Sequence, residues 1–309
     1  MNVTEAQTTT INQVGILSPW DADGEKDVWD AFKDGLTELG YPEGKGVTFV
    51  SRFGKVQTLH GNIPGDFYYM APSVPRRSEM PRFKTWSSDP DPLVNAIKEV
   101  KNKNIFVTLV DRAPSNNDNS VRDLYVAGNN PALGATAGEY IKKNTPNAQV
   151  AVIRGLPIPI DQQRQDGFDK AIAGSNVKVL EKQFGNWNRD DAFKVMQDFL
   201  TKYPKIDVVW CQDDDMAVGV LQAIDQAKRI GIQYVIAGAG SKDMVKKVMD
   251  GDKLVPVDVL YPPAMVGTAM ELTAANFYNQ VPVRGSYILD ATLVTKGNAK
   301  DFYFPDSPF

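Results

Sequence analysis

The sequence contains one cysteine, Cys211, and one histidine, His60. A single cysteine cannot form a disulfide within the chain. Because Cys211 ends the apolar stretch Val208–Cys211, we expect a buried and unreactive thiol. A single histidine argues against a zinc site, and against any Ser-His-Asp triad that does not use His60. We assign no catalytic residue, no metal and no cofactor.

Long apolar runs and an excess of positive charge are also missing. No apolar run approaches the ~20 residues that cross a bilayer. The 34 Lys and Arg residues are outnumbered by 38 Asp and Glu residues, which gives a net charge of −4. This balance argues against nucleic acid or an anionic membrane as the main partner. The first ten residues are polar and lack the apolar core of a signal peptide. Composition alone leaves open a mature start with an added Met and a cytosolic start.

What the sequence does have is a regular alternation of short apolar strands and amphipathic helices over 309 residues. The predicted strands are Val14–Leu17, Val47–Val50, Ile105–Val110, Val150–Ile153, Val177–Gln183, Val208–Cys211, Tyr234–Ala237, Val257–Leu260 and an extended stretch near Ser286–Val294. The predicted helices are Glu25–Leu39, Pro92–Lys103, Pro131–Asn144, Ile160–Ala173, Asp190–Lys202, Asp214–Arg229, Lys242–Asp250 and Pro263–Phe277. Alternating units with short loops predict an α/β fold with doubly wound parallel sheets. The number of strands indicates two domains.

Residues 52–86 break this alternation. They contain four prolines and the basic pair Arg76-Arg77, and show neither helical nor strand periodicity. Most connections in compact domains run about 4–6 residues, so a structureless loop of this length is unusual. Two interpretations stay open: a true insertion, or a local sequence error such as a shifted reading frame. The basic pair is better explained by a solvated loop than by an acidic partner.

Polar and aromatic side chains follow the carboxyl ends of four predicted strands. They are Asp111-Arg112, Arg164, Trp187 and the run Gln212-Asp213-Asp214-Asp215. In open α/β sheets, ligands bind in the crevice beyond the carboxyl ends of the strands. Charged side chains bind hydroxyl groups, and flat rings cover the C–H faces of a sugar. The pattern therefore predicts a binding site for a polyhydroxylated molecule.

Five motifs carry a resemblance to a known family. They are Val110-Asp111-Arg112-Ala113, Gly128-Asn129-Asn130, Arg164-Gln165-Asp166-Gly167-Phe168, Trp187-Asn188-Arg189 and Gln212-Asp213-Asp214-Asp215-Met216-Ala217-Val218-Gly219. In this order and spacing the chain resembles the periplasmic sugar-binding proteins of bacterial ABC transporters, of the ribose-binding type. The likeness covers most of residues 13–50 and 87–290 and is absent from residues 52–86.

The resemblance implies the type I periplasmic binding protein fold, with two Rossmann-like lobes that a three-crossing hinge joins and that close on a ligand. The lobes are expected at residues 13–127 plus 262–289 and at residues 128–261 plus 290–309, after a flexible N-terminal segment of residues 1–12. It further implies a monomeric, periplasmic receptor whose signal peptide has been removed. That receptor delivers a monosaccharide or sugar alcohol to a membrane permease and is not an enzyme.

The same resemblance implies roles for individual residues. Asp111 and Arg112 grip ring hydroxyls, Arg164 binds hydroxyls from the second lobe, and Trp187 and Trp29 cover opposite sugar faces. Three further positions depart from the ribose-binding type. Asp213 replaces an amide, Tyr261 replaces a glutamine, and a longer loop at Pro19–Gly24 adds Trp20. These departures argue against ribose and leave the identity of the sugar open.

Other interpretations compete with this assignment. Trp29 and Trp187 could be core residues, and the three aspartates from Asp213 could cap a helix and complement its dipole. The effector domain of a LacI-type regulator shares the fold, but the residues before Val14 are too few and not basic enough for a helix-turn-helix. A glycosidase needs two carboxylates, which Asp111 and Asp213 could supply, yet Arg112 beside Asp111 suits hydroxyl binding better than proton donation. A receptor for chemotaxis or another signal also stays open.

Overall fold

A computed structural model of the chain describes residues 14–18, 49–53, 67–68, 91, 94–102, 106–262, 265–278 and 281–305. Its strands are β1 (Val14–Ser18), β2 (Phe49–Phe53), β3 (Phe67–Tyr68), β4 (Thr108–Val110), β5 (Leu124–Gly128), β6 (Gln149–Arg154), β7 (Lys178–Phe184), β8 (Val208–Cys211), β9 (Tyr234–Ile236), β10 (Val257–Val259), β11 (Gly285–Leu289) and β12 (Leu293–Thr295). Its helices are α1 (Val94–Asn102), α2 (Asn130–Asn144), α3 (Pro159–Ile172), α4 (Arg189–Lys202), α5 (Asp214–Gln226), α6 (Lys242–Asp250) and α7 (Met265–Tyr278). The described residues form two compact units, 14–127 with 265–287 and 128–262 with 288–305.

The first unit contains two small sheets. In the sheet of order β2-β1-β3, β1 pairs parallel with β2 and antiparallel with β3. In the sheet of order β11-β5-β4, β4 and β5 are parallel and every residue of both strands is buried. Val107, Leu109, Tyr125 and Ala127 pack with Ile97 of α1 into one hydrophobic cluster. Such buried and mainly apolar runs are typical of parallel strands that are covered on both faces.

The second unit is built on the parallel sheet β7-β6-β8-β9. Successive side chains of a strand point to opposite faces, and the buried residues of the central strand β6 are apolar on both faces. Val150 and Val152 pack in one cluster with side chains of α2 and α3, whereas Ala151 and Ile153 pack in another with side chains of α4, α5 and α6. Helices therefore cover both faces, and the predicted doubly wound α/β fold is confirmed.

Helices α2 and α3 approach each other at two glycines. A Cβ atom on Gly134 of α2 would lie 1.8 Å from the carbonyl oxygen of Arg164, and one on Gly167 of α3 would lie 2.0 Å from that of Pro131. No larger side chain fits at these points without moving a backbone. The close approach fixes the turn of α3 that carries Arg164 against the start of α2.

Several sequence predictions need correction. β5 was assigned no element, and the extended stretch near Ser286–Val294 is two strands, of which β12 pairs antiparallel with β10. Helix α5 ends at Gln226, before the predicted Arg229. The sequence predicts Asn130, before Pro131, as the N-cap of α2, but the N-cap is Asn129, whose side chain accepts from the Ala132 N–H at 3.1 Å. The predicted helix Glu25–Leu39 and most of residues 52–86 lie outside the described residues.

Cys211 lies at the end of β8 with no exposed surface. Burial, together with the neighbouring charges of Asp213 and Asp214, raises the pKa of its thiol well above the usual value. The thiol is therefore protonated and inaccessible at neutral pH, in agreement with the sequence. Among the described residues, no helix combines the length and apolarity that a membrane crossing requires.

Candidate functional site

Arg164 is the centre of a buried polar group in the second unit. It lies one turn into α3, and its side chain is only 4% exposed. Its Nε donates to Oδ1 of Asn130 at 2.8 Å, and its Nη1 donates to the carbonyl oxygen of Gln212 at 2.6 Å. A buried guanidinium must be paired, and these two partners come from the start of α2 and from the residue that follows β8. The fork of the guanidinium is thus held in one orientation.

Two aromatic rings flank this guanidinium. The central carbon of the Arg164 guanidinium lies 5.0 Å from the ring centroid of Trp187 and 4.5 Å from that of Tyr261. Both distances are within the range of cation–π attraction. The Tyr261 ring contacts Gly128, where a Cβ atom would come within 2.2 Å of it, and its hydroxyl accepts from Nδ2 of Asn130 at 3.4 Å. These contacts bring three of the predicted binding residues into one cluster.

The backbone that carries Trp187 is strained. Asn186 and Trp187 have φ angles of 58° and 53°, in the left-handed region that side chains with a Cβ rarely adopt. The indole lies on Gly155, where a Cβ atom would come within 2.0 Å of the ring, and its Nε1 is buried without a hydrogen-bond partner among the described residues. Strain and an unsatisfied donor at one residue are typical of a functional position.

Asp213 caps helix α5. Its Oδ1 accepts from the Met216 N–H at 2.8 Å. Burial raises the pKa of its carboxyl group to about 7, the neighbouring Asp214 adds to this shift, and the Met216 N–H and Arg164 oppose it. The sequence predicts that Asp213 faces the ligand while Asp214 and Asp215 cap the helix or lie in solvent. Instead Asp213 itself is the cap, and Asp215 pairs with Arg189 at the surface at 2.7 Å.

Asp214, the middle aspartate, turns into the protein and meets Asp258 of β10. Its Oδ2 accepts from the Ser241 N–H at 2.6 Å, and Oδ2 of Asp258 accepts from the Gly240 N–H at 3.1 Å. Burial raises the pKa of both carboxyl groups, and each of the two neighbouring side chains influences the pKa of the other. Two carboxylates in contact cannot both be ionised at low cost, so the pair shares a proton.

Asp111 and Arg112 lie in the first unit, directly after β4. Asp111 has a φ of 63°, and its carbonyl oxygen accepts from the Tyr125 hydroxyl at 2.9 Å. The Arg112 side chain is 3% exposed, and its Nε lies 3.5 Å from Oδ2 of Asp111. A buried arginine beside a carboxylate in a left-handed turn is not an incidental surface ion pair.

The structure thus groups the predicted residues in two places. Arg164, Trp187 and Tyr261 are in contact and Asp213 lies near them, while Asp111 and Arg112 adjoin in the first unit. Trp20 and Trp29 lie outside the described residues. Within the described part of the chain, no three His, Cys, Asp or Glu side chains converge in a way that could hold a metal ion.

Sequence reasoning missed Asn130 as a site residue, because it was assigned the N-cap that Asn129 occupies. The available signal was the Asn-Asn pair itself: one asparagine suffices for the cap, and the second, 2% exposed, needs another partner. Gln212, which is fully buried, was named only as part of the run that contains Asp213. Asp161, in the first turn of α3, was assigned no role.

Comparison with known proteins gives consistent results. The periplasmic binding protein domain family matches residues 85–276. The ribose import binding protein of Escherichia coli is 30% identical over 211 residues, which are 68% of this chain and 69% of that protein. The xylitol-binding protein of Mycolicibacterium smegmatis is 37% identical over 91 residues, 29% of this chain and 26% of that protein.

A solved structure shows the same fold. It is an ABC transporter periplasmic solute-binding protein from Actinobacillus succinogenes with bound D-allose, with a TM-score of 0.71 and 18% identity. The match covers 94% of this chain and 99% of that one. The resemblance inferred from the motifs is thereby confirmed. The chain belongs to the periplasmic binding protein family.

Proposed function

We propose that this protein is a solute-binding receptor that captures a monosaccharide or sugar alcohol and delivers it to the membrane permease of an ABC transporter. The observation that carries the proposal is Arg164, a buried guanidinium held by Asn130 and Gln212 between the rings of Trp187 and Tyr261. An oriented guanidinium donates to neighbouring sugar hydroxyls, and aromatic faces cover C–H groups. Relatives that bind ribose and xylitol support this ligand class.

The site consists of two groups that bind the same ligand. Arg164, Trp187, Asp213 and Tyr261 contribute from the C-terminal lobe, residues 128–261 plus 290–309. Asp111 and Arg112 contribute from the N-terminal lobe, residues 13–127 plus 262–289, together with Trp20 and Trp29. Ligand stabilises the closed state because it has a higher affinity for that state than for the open one.

The receptor acts in the periplasm as a monomer, without catalysis and without a cofactor. The function of its relatives as import binding proteins supports the absence of turnover, since capture and release require no bond cleavage. Neither nucleic acid nor a metal takes part. A sugar-sensing role, in which closure signals to a membrane receptor, would use the same site.

Thermal denaturation over a panel of aldoses, ketoses and sugar alcohols tests the ligand class. A ligand present at 100 times its Kd raises the free energy of unfolding by about 2.7 kcal/mol, which a melting curve detects. We expect a clear rise in melting temperature for one or a few related sugars. A panel without any response, or steady product formation from aryl glycosides, would contradict the proposal.

The Arg164→Lys variant tests whether the Arg164 guanidinium binds the ligand. It keeps the positive charge but loses the planar fork that bonds Asn130 and the Gln212 carbonyl, so we expect the ligand-induced shift to disappear. Lys143→Arg on α2 is the control, because this side chain is exposed. A normal response in Arg164→Lys would remove Arg164 from the site.

A further inference from the structure

Asp161 is a fully buried carboxylate that no step of sugar binding described above uses. It lies in the first turn of α3 and has no exposed surface. Its Oδ1 accepts from the Gly155 N–H at 2.9 Å and from Nε of Arg154 at 3.4 Å, and its Oδ2 pairs with Nη2 of Arg154. An acidic residue at this position usually complements the helix dipole from the surface, whereas this one reaches inward to the end of β6.

The segment that Asp161 binds supports the Trp187 loop. The carbonyl oxygen of Arg154 accepts from the Gly185 N–H at 2.7 Å, and that of Gly155 accepts from the Asn186 N–H at 3.2 Å. Gly155 is also the surface on which the Trp187 indole lies. The left-handed turn at Asn186 and Trp187 is therefore attached directly to the two residues that the Asp161 carboxylate holds.

Asp161 also connects to Arg164 through a second path. Its carbonyl oxygen accepts from Nε2 of Gln212 at 3.2 Å, and the carbonyl oxygen of Gln212 accepts from Nη1 of Arg164. Asp161 thus links the carboxyl ends of β6 and β8 to the helix that carries Arg164. One residue contacts the supports of both the guanidinium and the indole.

We propose that Asp161 is a positioning residue for sugar binding, whose carboxylate holds the Trp187 loop through Arg154 and Gly155 and whose backbone carbonyl bonds Gln212, the partner of Arg164. The inference rests on the proposed function. A buried ion pair is a poor means of stabilisation, since removing two charges from water costs free energy that an apolar pair would not require. Burial accordingly raises the pKa of the Asp161 carboxyl, against the opposing effects of Arg154, the Gly155 N–H and Arg164. The buried pair of Asp161 and Arg154 is therefore better explained by a role in orienting the ligand-binding side chains than by a role in stability.

The first test compares Asp161→Asn with Asp169→Asn. The two substitutions are chemically identical and lie on the same helix, but Asp169 is 42% exposed and pairs with Lys182 at the surface. With the sugar identified by the thermal screen, we expect Asp161→Asn to weaken binding on the order of tenfold. Asp169→Asn should bind as the parent protein does. Equal affinity of both variants would overturn the proposal.

A double-mutant cycle separates positioning from general destabilisation. If Asp161 acts through the indole, the loss caused by Asp161→Asn shrinks when Trp187 is already replaced in Trp187→Ala. A merely structural effect would weaken binding by the same factor in both backgrounds. Independent, additive losses would therefore overturn the proposal.

Hydrogen exchange of the unliganded protein keeps the test independent of the sugar. We expect Asp161→Asn to speed exchange at the amides of Gly185 and Asn186, whose hydrogens bond to the Arg154 and Gly155 carbonyls, and Asp169→Asn to leave them unchanged. If no sugar binds the parent protein, the proposed function fails while this measurement still decides the positioning role. Unchanged exchange in Asp161→Asn would overturn that role.

Discussion

Asp213 shows how one residue can connect a helix cap to ligand chemistry. Its Oδ1 is committed to the Met216 N–H, which leaves the second oxygen as the group that can meet a sugar. Because burial brings the pKa of this carboxyl to about 7, the group is close to half ionised at neutral pH. An ionised carboxylate accepts hydrogen bonds from hydroxyls more strongly than a neutral acid does. Ionisation of the Asp213 carboxyl group should therefore increase the affinity for the sugar.

We predict that sugar affinity rises between pH 6 and pH 8. Ligand hydroxyls that donate to the ionised form favour it over the protonated form, so binding strengthens as pH passes through about 7, the pKa of Asp213. Isothermal titration at several pH values measures this. In Asp213→Asn, which has no proton to lose, the affinity should be independent of pH over this range. Tighter binding at pH 6 would mean that the protonated acid is the form that binds.

At the scale of elements, the contact between α2 and α3 determines where Arg164 lies. Gly134 and Gly167 permit backbone approach at two points, one of which is the carbonyl group of Arg164 itself. The side chain of Asn130, at the start of α2, then reaches Nε of Arg164. The contact between the two helices therefore also determines the orientation of the guanidinium.

Gly134→Ala should disturb both stability and binding. Its methyl group meets the Arg164 carbonyl, so the helices must separate, at a cost of about 1–3 kcal/mol. Gly297→Ala is the control in the same unit, since its methyl group would meet only Oγ1 of Thr295, at 3.7 Å. We expect a lower melting temperature and a reduced sugar response for Gly134→Ala alone. Parent-like melting of Gly134→Ala would show that the helices are not in close contact at this point.

The sequence predicted the elements of the second unit better than their side-chain contacts. The bounds of β8 and α6 were correct because an apolar run ends at Gln212, and because Ser241 is a strong N-cap signal and Gly251 a strong C-cap signal. β5 was missed, although its five buried residues read as a strand.

The site was predictable in its residue types and not in its geometry. Arg164 and Gln212 are 48 residues apart, and only the folded sheet brings them together. The left-handed φ of Trp187 could not be predicted either, because large side chains rarely adopt it and nothing in the sequence marks it.

At the scale of the whole molecule, the buried pair Asp214 and Asp258 makes stability depend on pH. Both folded-state pKa values are raised above the usual value of about 4. Below that value the two carboxyl groups are protonated in both the folded and the unfolded chain, and the pair makes its full contribution to stability. Above it the unfolded chain releases the proton that the folded pair keeps. Stability therefore decreases as the pH rises from the unfolded pKa to the folded pKa, and no further above that.

We predict that the free energy of unfolding includes a term that falls by about 1.4 kcal/mol per pH unit for the shared proton. In Asp258→Asn the amide donates to Asp214 without titrating, so the decline should be shallower. Asp250→Asn is the control, because this carboxylate is 57% exposed and pairs with Lys246 on the surface. Urea unfolding between pH 5 and pH 8 measures the three slopes. An unchanged slope in Asp258→Asn would contradict the shared proton.

The buried thiol of Cys211 has a practical consequence. Because the sequence has no other cysteine and this one is inaccessible, a maleimide dye will react only with a cysteine that is introduced on the surface. Ile230, which is 89% exposed, offers one such place. The unmodified scaffold is thus ready for conversion into a reagentless fluorescent biosensor, without prior removal of native thiols.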